Sequence, residues 1–310
     1  MASANAFDFK LFKRLLEFTK PYRLVFYFVA FTALILSGLA ILRPYFLERA
    51  IDESIIPRDP SGLIYFIVIM IGVLVLEVIF QFSFIFYANW LGQHIIKDLR
   101  ISLFGLMMRF KMKYFDTSSV GRLTTRAVND IETISSIFSQ GLFMIIADLL
   151  KMAAIATFML YQSWRLSLIV FVILPLILIA TRIFQRAMKV AFEEVRAQVA
   201  NLNSFVQERI TGMKIVQVFA REQTEYKQFF AINEKHKKAW IKTVWYNSIF
   251  FPIAEMASSV AIGLLVWFGG LNAASNGVIT LGLVVAFIEL AQMLFRPLRQ
   301  IADKFNTLQM

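Results

Sequence analysis

The stretch YFDTSSVGRLTTRAVNDIET, residues 114–133, is a polar island between two hydrophobic segments that are too long for the core of a soluble domain. Asp116, Thr117 and Ser118 are residue types that cap helices by accepting free backbone N–H groups. Gly121 follows as a point at which the chain can turn. The pattern predicts a short helix across the turn between two long helices, with a helical pattern resuming after the glycine.

A second polar island of similar design begins at Arg209, in the stretch RITGMKIVQVFARE. Here Gly212 is the residue at which the helix can break. The sequence therefore predicts two polar elbows, one at about residues 114–122 and the other at about 208–217. Each elbow is expected at the far end of a helical hairpin.

The composition is that of an integral membrane protein. Of the 310 residues, 58% are hydrophobic and only 17% are charged, and the mean hydropathy is +0.65. These values lie far to the apolar side of an ordinary soluble domain. Cysteine is absent, which excludes a disulfide, a thiolate metal site and a thiol nucleophile.

The net charge of +11 arises from clusters that mark one side of a membrane. Of the 32 lysines and arginines, 27 lie up to Arg23, within 97–126, within 182–242 or from Arg296 onward. By the positive-inside rule these clusters face the cytoplasm. We therefore predict a multi-pass protein of the cell (inner) membrane with both termini cytoplasmic. Because the charges are explained by orientation, no nucleic acid partner is predicted.

Six hydrophobic segments are each near or above the ~20 residues that a helix needs to cross a bilayer. An amphipathic segment at about 7–20 precedes them and is expected to lie in the membrane interface, with a soluble helix packed on protein as the alternative. The connections on the outer side carry few basic residues, which are Arg43, Arg49, Arg58 and Arg165. The predicted spans are about 22–47, 63–87, 138–161, 166–184, 249–271 and 278–295.

The predicted inner connections are long helices that leave the membrane. After Tyr87, apolar residues recur at steps of three and four with charges between them, so the helix should continue. The stretch 88–113 would extend about 39 Å at ~1.5 Å per residue, and 185–208 and 221–246 show the same pattern. The fold class is therefore all-α: one transmembrane domain over 1–310, with four helical stalks joined pairwise at the two elbows.

Ionisable and polar residues inside spans are functional candidates by default, because they are costly at membrane depth. One set is predicted to line a water-filled substrate cavity that favours cationic amphiphiles. The alternative for Glu289 is a pairing role only, with Arg296 or with a partner helix. Asp148 and Lys151 are predicted to neutralise each other. The candidate cavity residues are Glu77, Gln81, Glu255, Phe287, Glu289, Gln292 and Met293.

Other chemistry is not indicated. His94 and His236 are far apart in the sequence and both lie on predicted stalks, so no metal site is predicted. No histidine lies near a serine within a span, so no catalytic triad is predicted either.

Five stretches, in order along nearly the whole chain, resemble the transmembrane domain of ATP-binding-cassette (ABC) exporters of the multidrug or lipid type. Each motif alone is weak evidence for the family, but five motifs in the family's order are specific evidence for it. They are ILRPYFLERAID (41–52), YFDTSSVGRLTTRAVNDIETI (114–134), SWRLSLI (163–169), ERITGMKIVQVFARE (208–222) and FRPLRQIADKFNTLQ (295–309).

The resemblance implies a dimer of identical or homologous six-helix halves, in which helices four and five cross to pack with the partner. It also implies that the elbows are coupling helices seated on cytoplasmic nucleotide-binding domains. Those domains would bind ATP and magnesium, and this chain would bind no cofactor itself. The residues placed at the coupling contacts by this resemblance are Phe115, Asp116, Thr117, Gly121, Thr211, Gly212 and Met213.

The sequence departs from the family in one respect. Family members usually continue into a nucleotide-binding domain, whereas this sequence ends at Met310 and contains no G-x-x-x-x-G-K-[ST] loop, nor any Gly-Lys pair. We therefore expect no ATPase activity, and so no enzyme, in these residues alone. We favour the interpretation that this sequence is a piece of a longer protein. The alternative is that the ATPase domain belongs to a separate polypeptide.

The expected function is that of an export domain in contact with membrane lipid, which moves an amphipathic drug-like or lipid-like molecule. The alternative is a membrane-embedded sensor or regulatory subunit, which would bind a ligand and signal to a cytoplasmic partner without transport.

Overall fold

A computed structural model of the chain describes residues 19–132, 143–275 and 279–309. Within these ranges the chain is almost wholly helical and has no strands, so the predicted all-α fold class is confirmed. Single turns of 3₁₀ helix (Lys20–Tyr22) and π-helix (Ile51–Ile55 and Arg126–Asp130) adjoin the α-helices. The α-helices are α1 (Arg23–Ala50), α2 (Pro60–Met107), α3 (Met112–Thr117), α4 (Val120–Thr125), α5 (Phe143–Gln162), α6 (Trp164–Thr211), α7 (Met213–Val218), α8 (Glu222–Ser275) and α9 (Leu281–Gln309).

Five helical segments among the described residues are long and apolar enough to cross a membrane. They are Lys20–Ile55, which contains α1, together with α2, α5, α6 and α8. They correspond to the first five predicted spans. The sixth predicted span, 278–295, overlaps the first half of α9, and the count of six stays a prediction. The predicted interfacial helix, apart from Thr19 and Lys20, and the start of the third span, 138–142, lie outside the described residues.

Three of these helices continue without interruption far beyond a bilayer. Helices α2 and α6 have 48 residues each and α8 has 54. A helix of 48 residues is about 72 Å long, more than twice the ~30 Å of hydrocarbon. The predicted continuation of the second span after Tyr87 is therefore confirmed, and the same holds after the fourth and before the fifth.

The start of α2 is fixed by an N-terminal cap. Asp59 has an extended backbone, and its carboxylate accepts hydrogen bonds from the backbone N–H of Ser61 (3.0 Å) and Gly62 (3.1 Å) and from the Ser61 hydroxyl (2.6 Å). Pro60 occupies the first helical position, where its missing N–H is not needed. The hydrogen bonds, from the Ser61 hydroxyl first, lower the pKa of Asp59 below its ordinary value.

The lowered pKa gives this cap a pH dependence. A carboxyl group whose pKa is lowered on folding stabilises the fold when ionised, and that contribution disappears as the pH falls through the folded-state pKa. We expect Asp59→Ala to reduce amide hydrogen-exchange protection in the first turn of α2 severalfold at pH 7. Asp59→Asn, a neutral acceptor of equal size, should give intermediate protection. Wild-type protection in this turn should fall as the pH drops below about 4, the ordinary pKa of an aspartate, and protection that stays constant while the Asp59 carboxyl takes up its proton would contradict the argument.

The residues form two compact units by their internal contacts. The first lies within Met1–Ser163 and Ala273–Met293. Its core joins α1 to α2 and the start of α5, and its buried members are Val29, Ala33, Phe84, Ala88, Leu91, Ile95 and Phe143. The Tyr22 hydroxyl donates to Asp98 Oδ2 at 3.0 Å, and its ring meets Trp90 edge-on at 5.8 Å. These contacts hold the beginning of α1 against α2.

The second unit lies within Trp164–Asn272 and Leu294–Met310. Helices α6 and α8 pack here through a buried cluster of large side chains, with Phe184 and Phe250 stacked at 4.1 Å between ring centroids and 12° between planes. Further along the two stalks, Lys242 Nζ lies 2.9 Å from Glu194 Oε2. The contact between these two long helices therefore continues beyond the stacked phenylalanines, toward the second elbow.

Candidate functional site

The first elbow consists of two short helices and one sharp break. Helix α3 ends at Thr117, Ser118 has an extended backbone (φ −112°, ψ 130°), and α4 begins at Val120. Serine side chains compete with helical hydrogen bonding, which suits the break at this point. Three apolar side chains at or next to α3 are exposed: Met108, Met112 and Phe115. This elbow therefore presents apolar surface on and beside a short helix.

Two details of the sequence prediction for this elbow are wrong. Asp116 and Thr117 do not cap the following helix, because both lie in the last turn of α3. The Thr117 hydroxyl instead donates back to the Lys113 carbonyl at 3.0 Å. Gly121 is not the break either, since it lies inside α4.

The second elbow breaks at the predicted glycine. Gly212 separates Thr211, the last residue of α6, from Met213, the first of α7. A Cβ on Gly212 would lie 3.2 Å from the Glu208 carbonyl oxygen, a tight contact that glycine avoids. The exposed apolar side chains here are Ile210, Met213, Ile215, Val218 and Phe219. Like the first elbow, the second presents a short helix with exposed apolar surface.

A salt-bridge brace closes the second elbow. Arg209 Nε on α6 lies 2.5 Å from Glu225 Oε2 on α8, and Arg221 Nε lies 3.5 Å from the other oxygen of Glu225. Arg209 also contacts Glu208 at 2.8 Å and stacks over the Phe205 ring at 4.9 Å. Glu225 therefore connects the ends of two long helices across the break. Sequence reasoning missed this brace, because the paired residues lie on different helices.

Removing the charge of Glu225 should loosen this elbow. A hydrogen bond to a charged group contributes about 1.5 kcal/mol or more, so Glu225→Gln is expected to reduce hydrogen-exchange protection in α7 roughly tenfold. The measurement is hydrogen exchange followed by mass spectrometry in lipid nanodiscs. Glu222→Gln, which changes an exposed acid one turn earlier on α8, is the matched control. Equal protection in the two variants would show that the brace does not hold the elbow.

A polar clasp joins α1 to α9 at two levels; we define it as Arg43, Asp52, Gly282 and Glu289. Arg43 Nη2 lies 2.6 Å and Nε 3.0 Å from Glu289 Oε1. Both side chains are partly buried, at 35% and 25% exposure. Arg43 and Arg49 were assigned to an outer connection, but both lie inside α1, which ends at Ala50. Of the two roles predicted for Glu289, pairing is therefore the one that the structure shows, and its partner is Arg43 rather than Arg296.

The second level of the clasp is a close backbone approach. The Gly282 N–H donates to Asp52 Oδ1 at 2.9 Å. A Cβ on Gly282 would lie 2.4 Å from the Glu48 carbonyl oxygen and 2.7 Å from Asp52 Cγ. Gln162, at the end of α5, donates to Glu48 Oε2 at 3.0 Å. The first turn of α9 therefore fits against the end of α1 only because residue 282 has no side chain.

The predicted cavity residues of α9 have different environments. Phe287 is fully buried and Met293 is 8% exposed, whereas Gln292 is exposed. The negative charge of Glu289 is offset by Arg43. A cation entering near α9 would therefore meet a carboxylate that is already paired.

The remaining candidates lie on three other helices. Glu77 is half-buried and Gln81 exposed, one turn apart on α2, while Glu255 is exposed on α8 in the second unit. Asp148 and Lys151 lie one turn apart on α5. The cavity formed by these residues and the neutralising role of the α5 pair both stay predictions.

Comparison with known proteins assigns the chain to a family. The family model for the ABC transporter transmembrane region matches residues 26–298. The chain belongs to this family. It therefore contains an ABC transporter transmembrane region, the type of domain that the five sequence stretches indicated, and both elbows lie within the matched residues.

Several curated relatives cover nearly all of the chain. An uncharacterized ABC transporter ATP-binding protein of Bacillus subtilis, YknV, is 29% identical over 299 residues, which are 96% of this chain and 49% of the relative. An ATP-dependent lipid A-core flippase of Thiobacillus denitrificans is 22% identical over 96% of this chain and 52% of its own length. A putative ABC transporter ATP-binding protein of Streptococcus pneumoniae, exp8, is 28% identical over 96% and 51%. The chain spans about half the length of these relatives.

Proposed function

We propose that this ABC transporter domain forms the alternating-access pathway of an ATP-driven exporter for an amphipathic drug-like or lipid-like molecule. The observation that carries the proposal is the pair of elbows at the ends of uninterrupted helices. Helices α2, α6 and α8 extend far beyond a bilayer, and the short helices beside their ends expose apolar side chains. Rigid helices of this length can transmit movement from a cytoplasmic partner to the membrane.

The exposed apolar surfaces of the elbows would dock nucleotide-binding domains. Contiguous apolar patches on protein surfaces commonly mark interaction sites. ATP and magnesium would bind to those domains, and ATP binding would draw the elbows together. The matched relatives are about twice as long as this chain and several are named as ATP-binding, which supports a partner domain of that kind. We accordingly assign no ATPase activity to the 310 residues themselves.

The assembly and orientation follow the same logic. The working unit would contain two such domains, with α6 and α8 crossing to the partner, in the inner membrane with both termini cytoplasmic. The basic clusters at 97–126 and 182–242 support this orientation, since they coincide with both elbows and their stalks. The name of the lipid A-core flippases supports an amphipathic substrate for this chain.

Transport in vesicles tests the proposal against the sensor alternative. The complete transporter is reconstituted in liposomes, and ATP-dependent movement of a fluorescent phospholipid and of a fluorescent lipophilic cation is recorded. We expect transport of at least one of them, and a severalfold loss in Phe115→Ala and Ile215→Ala, which trim exposed apolar contacts at the elbows. Val266→Ala, an exposed apolar position away from the elbows on α8, is the control. Ligand binding without ATP-dependent movement would favour the sensor and overturn the exporter.

A further inference from the structure

Helix α1 continues into a π-helical turn at Ile51–Ile55, which we call the π-turn. Here the Ile56 N–H donates to the Ile51 carbonyl at 3.0 Å, five residues back instead of four. A π-turn therefore holds one residue more than an α-helical turn, and such turns are rare and often lie at functional sites. This one is part of the polar clasp, because Asp52 belongs to both.

A buried hydroxyl in the π-turn has no hydrogen bond. Ser54 is 2% exposed, and its Oγ has no partner among the described residues. A Cβ on Gly62 would lie 2.7 Å from that oxygen, so the start of α2 packs closely against it. Buried polar groups are almost always hydrogen-bonded, and an unpaired one destabilises the conformation that contains it.

An α-helical turn would satisfy this hydroxyl. Serine inside an α-helix commonly donates to the carbonyl four residues back, as Ser37 does to Ala33 at 2.8 Å in α1. The corresponding acceptor for Ser54 is the Ala50 carbonyl, to which it makes no bond in the π-turn. The π register therefore lacks a hydrogen bond that the α register would supply.

The connection from the π-turn to α2 contains a second unfavourable feature. Arg58 has φ 63°, in the left-handed region that residues other than glycine rarely adopt. The next residue, Asp59, donates its N–H to the Ser54 carbonyl at 2.8 Å, again five residues back. A change of register in the π-turn would therefore move this connection, which can take up the residue that the turn gives back.

The clasp opposes these costs. The Gly282 N–H donates to Asp52 Oδ1 at 2.9 Å, and a Cβ on Gly282 would lie 2.4 Å from the Glu48 carbonyl oxygen. The first turn of α9 is thus seated on the π-turn itself. A change from bonding over five residues to bonding over four rotates the side chains of the turn about the helix axis. That rotation would carry Asp52 away from the Gly282 N–H.

We propose that the π-turn is a two-state switch that closes and releases the polar clasp. In the π state Asp52 holds the first turn of α9, and the Ser54 hydroxyl is unpaired. In the α state the Ser54 hydroxyl donates to the Ala50 carbonyl, and Asp52 releases α9. Each state satisfies one group at the expense of the other, so a modest force on α9 is enough to change the register.

The inference rests on the proposed function for one step only. In the orientation proposed above, the clasp lies at the outer end of α1 and α9, so its release would open that end of the export pathway. The change of register requires only α1, the π-turn and α9, and it does not depend on which molecule is transported.

Thiol labelling measures the release. Val284, in the first turn of α9, is 5% exposed, and the chain has no cysteine, so Val284→Cys introduces a single buried thiol. The complete transporter, with any cysteine outside these 310 residues replaced, is placed in lipid nanodiscs. A charged methanethiosulfonate is then added without nucleotide or after trapping with ATP and vanadate. We expect labelling about tenfold faster in the trapped state.

Two substitutions in the π-turn should act in opposite directions in this background. Ser54→Ala removes the unpaired hydroxyl of the π state and the hydrogen bond of the α state, so it should slow labelling of the trapped state about fivefold. Asp52→Ala removes the clasp contact and should speed labelling without nucleotide about fivefold. Ser37→Ala is the matched control, because its hydroxyl is paired within an ordinary α-helical turn, and it should change neither rate.

The sign of the Ser54→Ala effect decides the proposal. A serine that only fills space would leave both rates unchanged, and that result overturns the switch. Effects of the same sign in Ser54→Ala and Asp52→Ala overturn it too, as does a trapped state that is labelled no faster than the nucleotide-free one. If Asp52→Ala does not fold, Asp52→Asn, which keeps an acceptor oxygen, should speed labelling by a smaller factor.

Transport by the same protein separates the switch from the export function. If ATP moves the fluorescent phospholipid or cation while Ser54→Ala leaves labelling unchanged, the switch is wrong and the export function stands. If the two substitutions change labelling in opposite directions but neither probe is moved, the switch stands and the export function is wrong.

Discussion

Replacing Gly282 with alanine is expected to lower the free energy of unfolding by about 3 kcal/mol. The added Cβ would lie 2.4 Å from the Glu48 carbonyl oxygen and 2.7 Å from Asp52 Cγ. Backbone atoms cannot move aside as a flexible side chain can, so the first turn of α9 must shift away from α1. That shift also breaks the hydrogen bond from the Gly282 N–H to Asp52 Oδ1. Unfolding in mixed micelles, followed by circular dichroism, measures the change.

Gly263→Ala is the matched control for this substitution. Gly263 lies inside α8, and a Cβ there would meet no atom within 4 Å. Alanine is the better helix former by about 0.5–1 kcal/mol, so Gly263→Ala should leave the protein as stable or slightly more stable. Equal effects of the two substitutions would show that the close approach of α9 to α1 does not contribute to stability.

The long helices could be predicted because each of them follows from local patterns in the sequence. Hydrophobic length identifies a span, and the three-and-four spacing of apolar residues after Tyr87 shows where the helix continues. Helix α2, which runs from Pro60 to Met107, satisfies both patterns at once. Its N-terminal end was also readable in principle, since an aspartate followed by a proline marks a helix start.

The elbows show where local patterns become ambiguous. Glycine is tolerated inside a helix at a cost of about 1 kcal/mol, so Gly121 inside α4 and Gly212 at a break are equally compatible with the sequence. At the Gly212 break, a Cβ would make a tight contact with the Glu208 carbonyl, so the backbone there favours glycine. Likewise, Thr117 could cap a following helix or bond back within its own helix, and the structure shows the second.

The ion pairs could not be predicted from sequence because nothing local connects their members. Arg43 and Glu289 are 246 positions apart, and Arg209 and Glu225 are 16 apart across a helix break. The helical spacing rules that suggested Arg296 as a partner apply only within one helix. The sequence offered only a general rule, which is that a charged side chain within the membrane needs a partner. It identified Glu289 as paired or functional but could not identify Arg43.

Replacing Glu289 with leucine is expected to destabilise the first unit by about 2–3 kcal/mol. The substitution leaves the Arg43 guanidinium inside a membrane-spanning segment without the carboxylate that accepts its hydrogen bonds at 2.6 and 3.0 Å. Arginine stays protonated in proteins, so it cannot relieve the cost by losing its charge. The same unfolding measurement applies. Gln292→Leu, an exposed position one turn further along α9, is the control and should be nearly neutral.

The double variant Arg43→Met with Glu289→Leu distinguishes two effects: the loss of the ion pair itself, and the cost of leaving the Arg43 guanidinium without a carboxylate partner. Replacing both members of a buried ion pair by apolar residues is often neutral, whereas removing one leaves an uncompensated charge. We therefore expect the double variant to recover most of the stability lost in Glu289→Leu, giving a coupling energy of roughly 1–3 kcal/mol in a double-mutant cycle. A double variant no more stable than Glu289→Leu would mean that Arg43 finds other partners, and that the clasp is held by Gly282 and Asp52 alone.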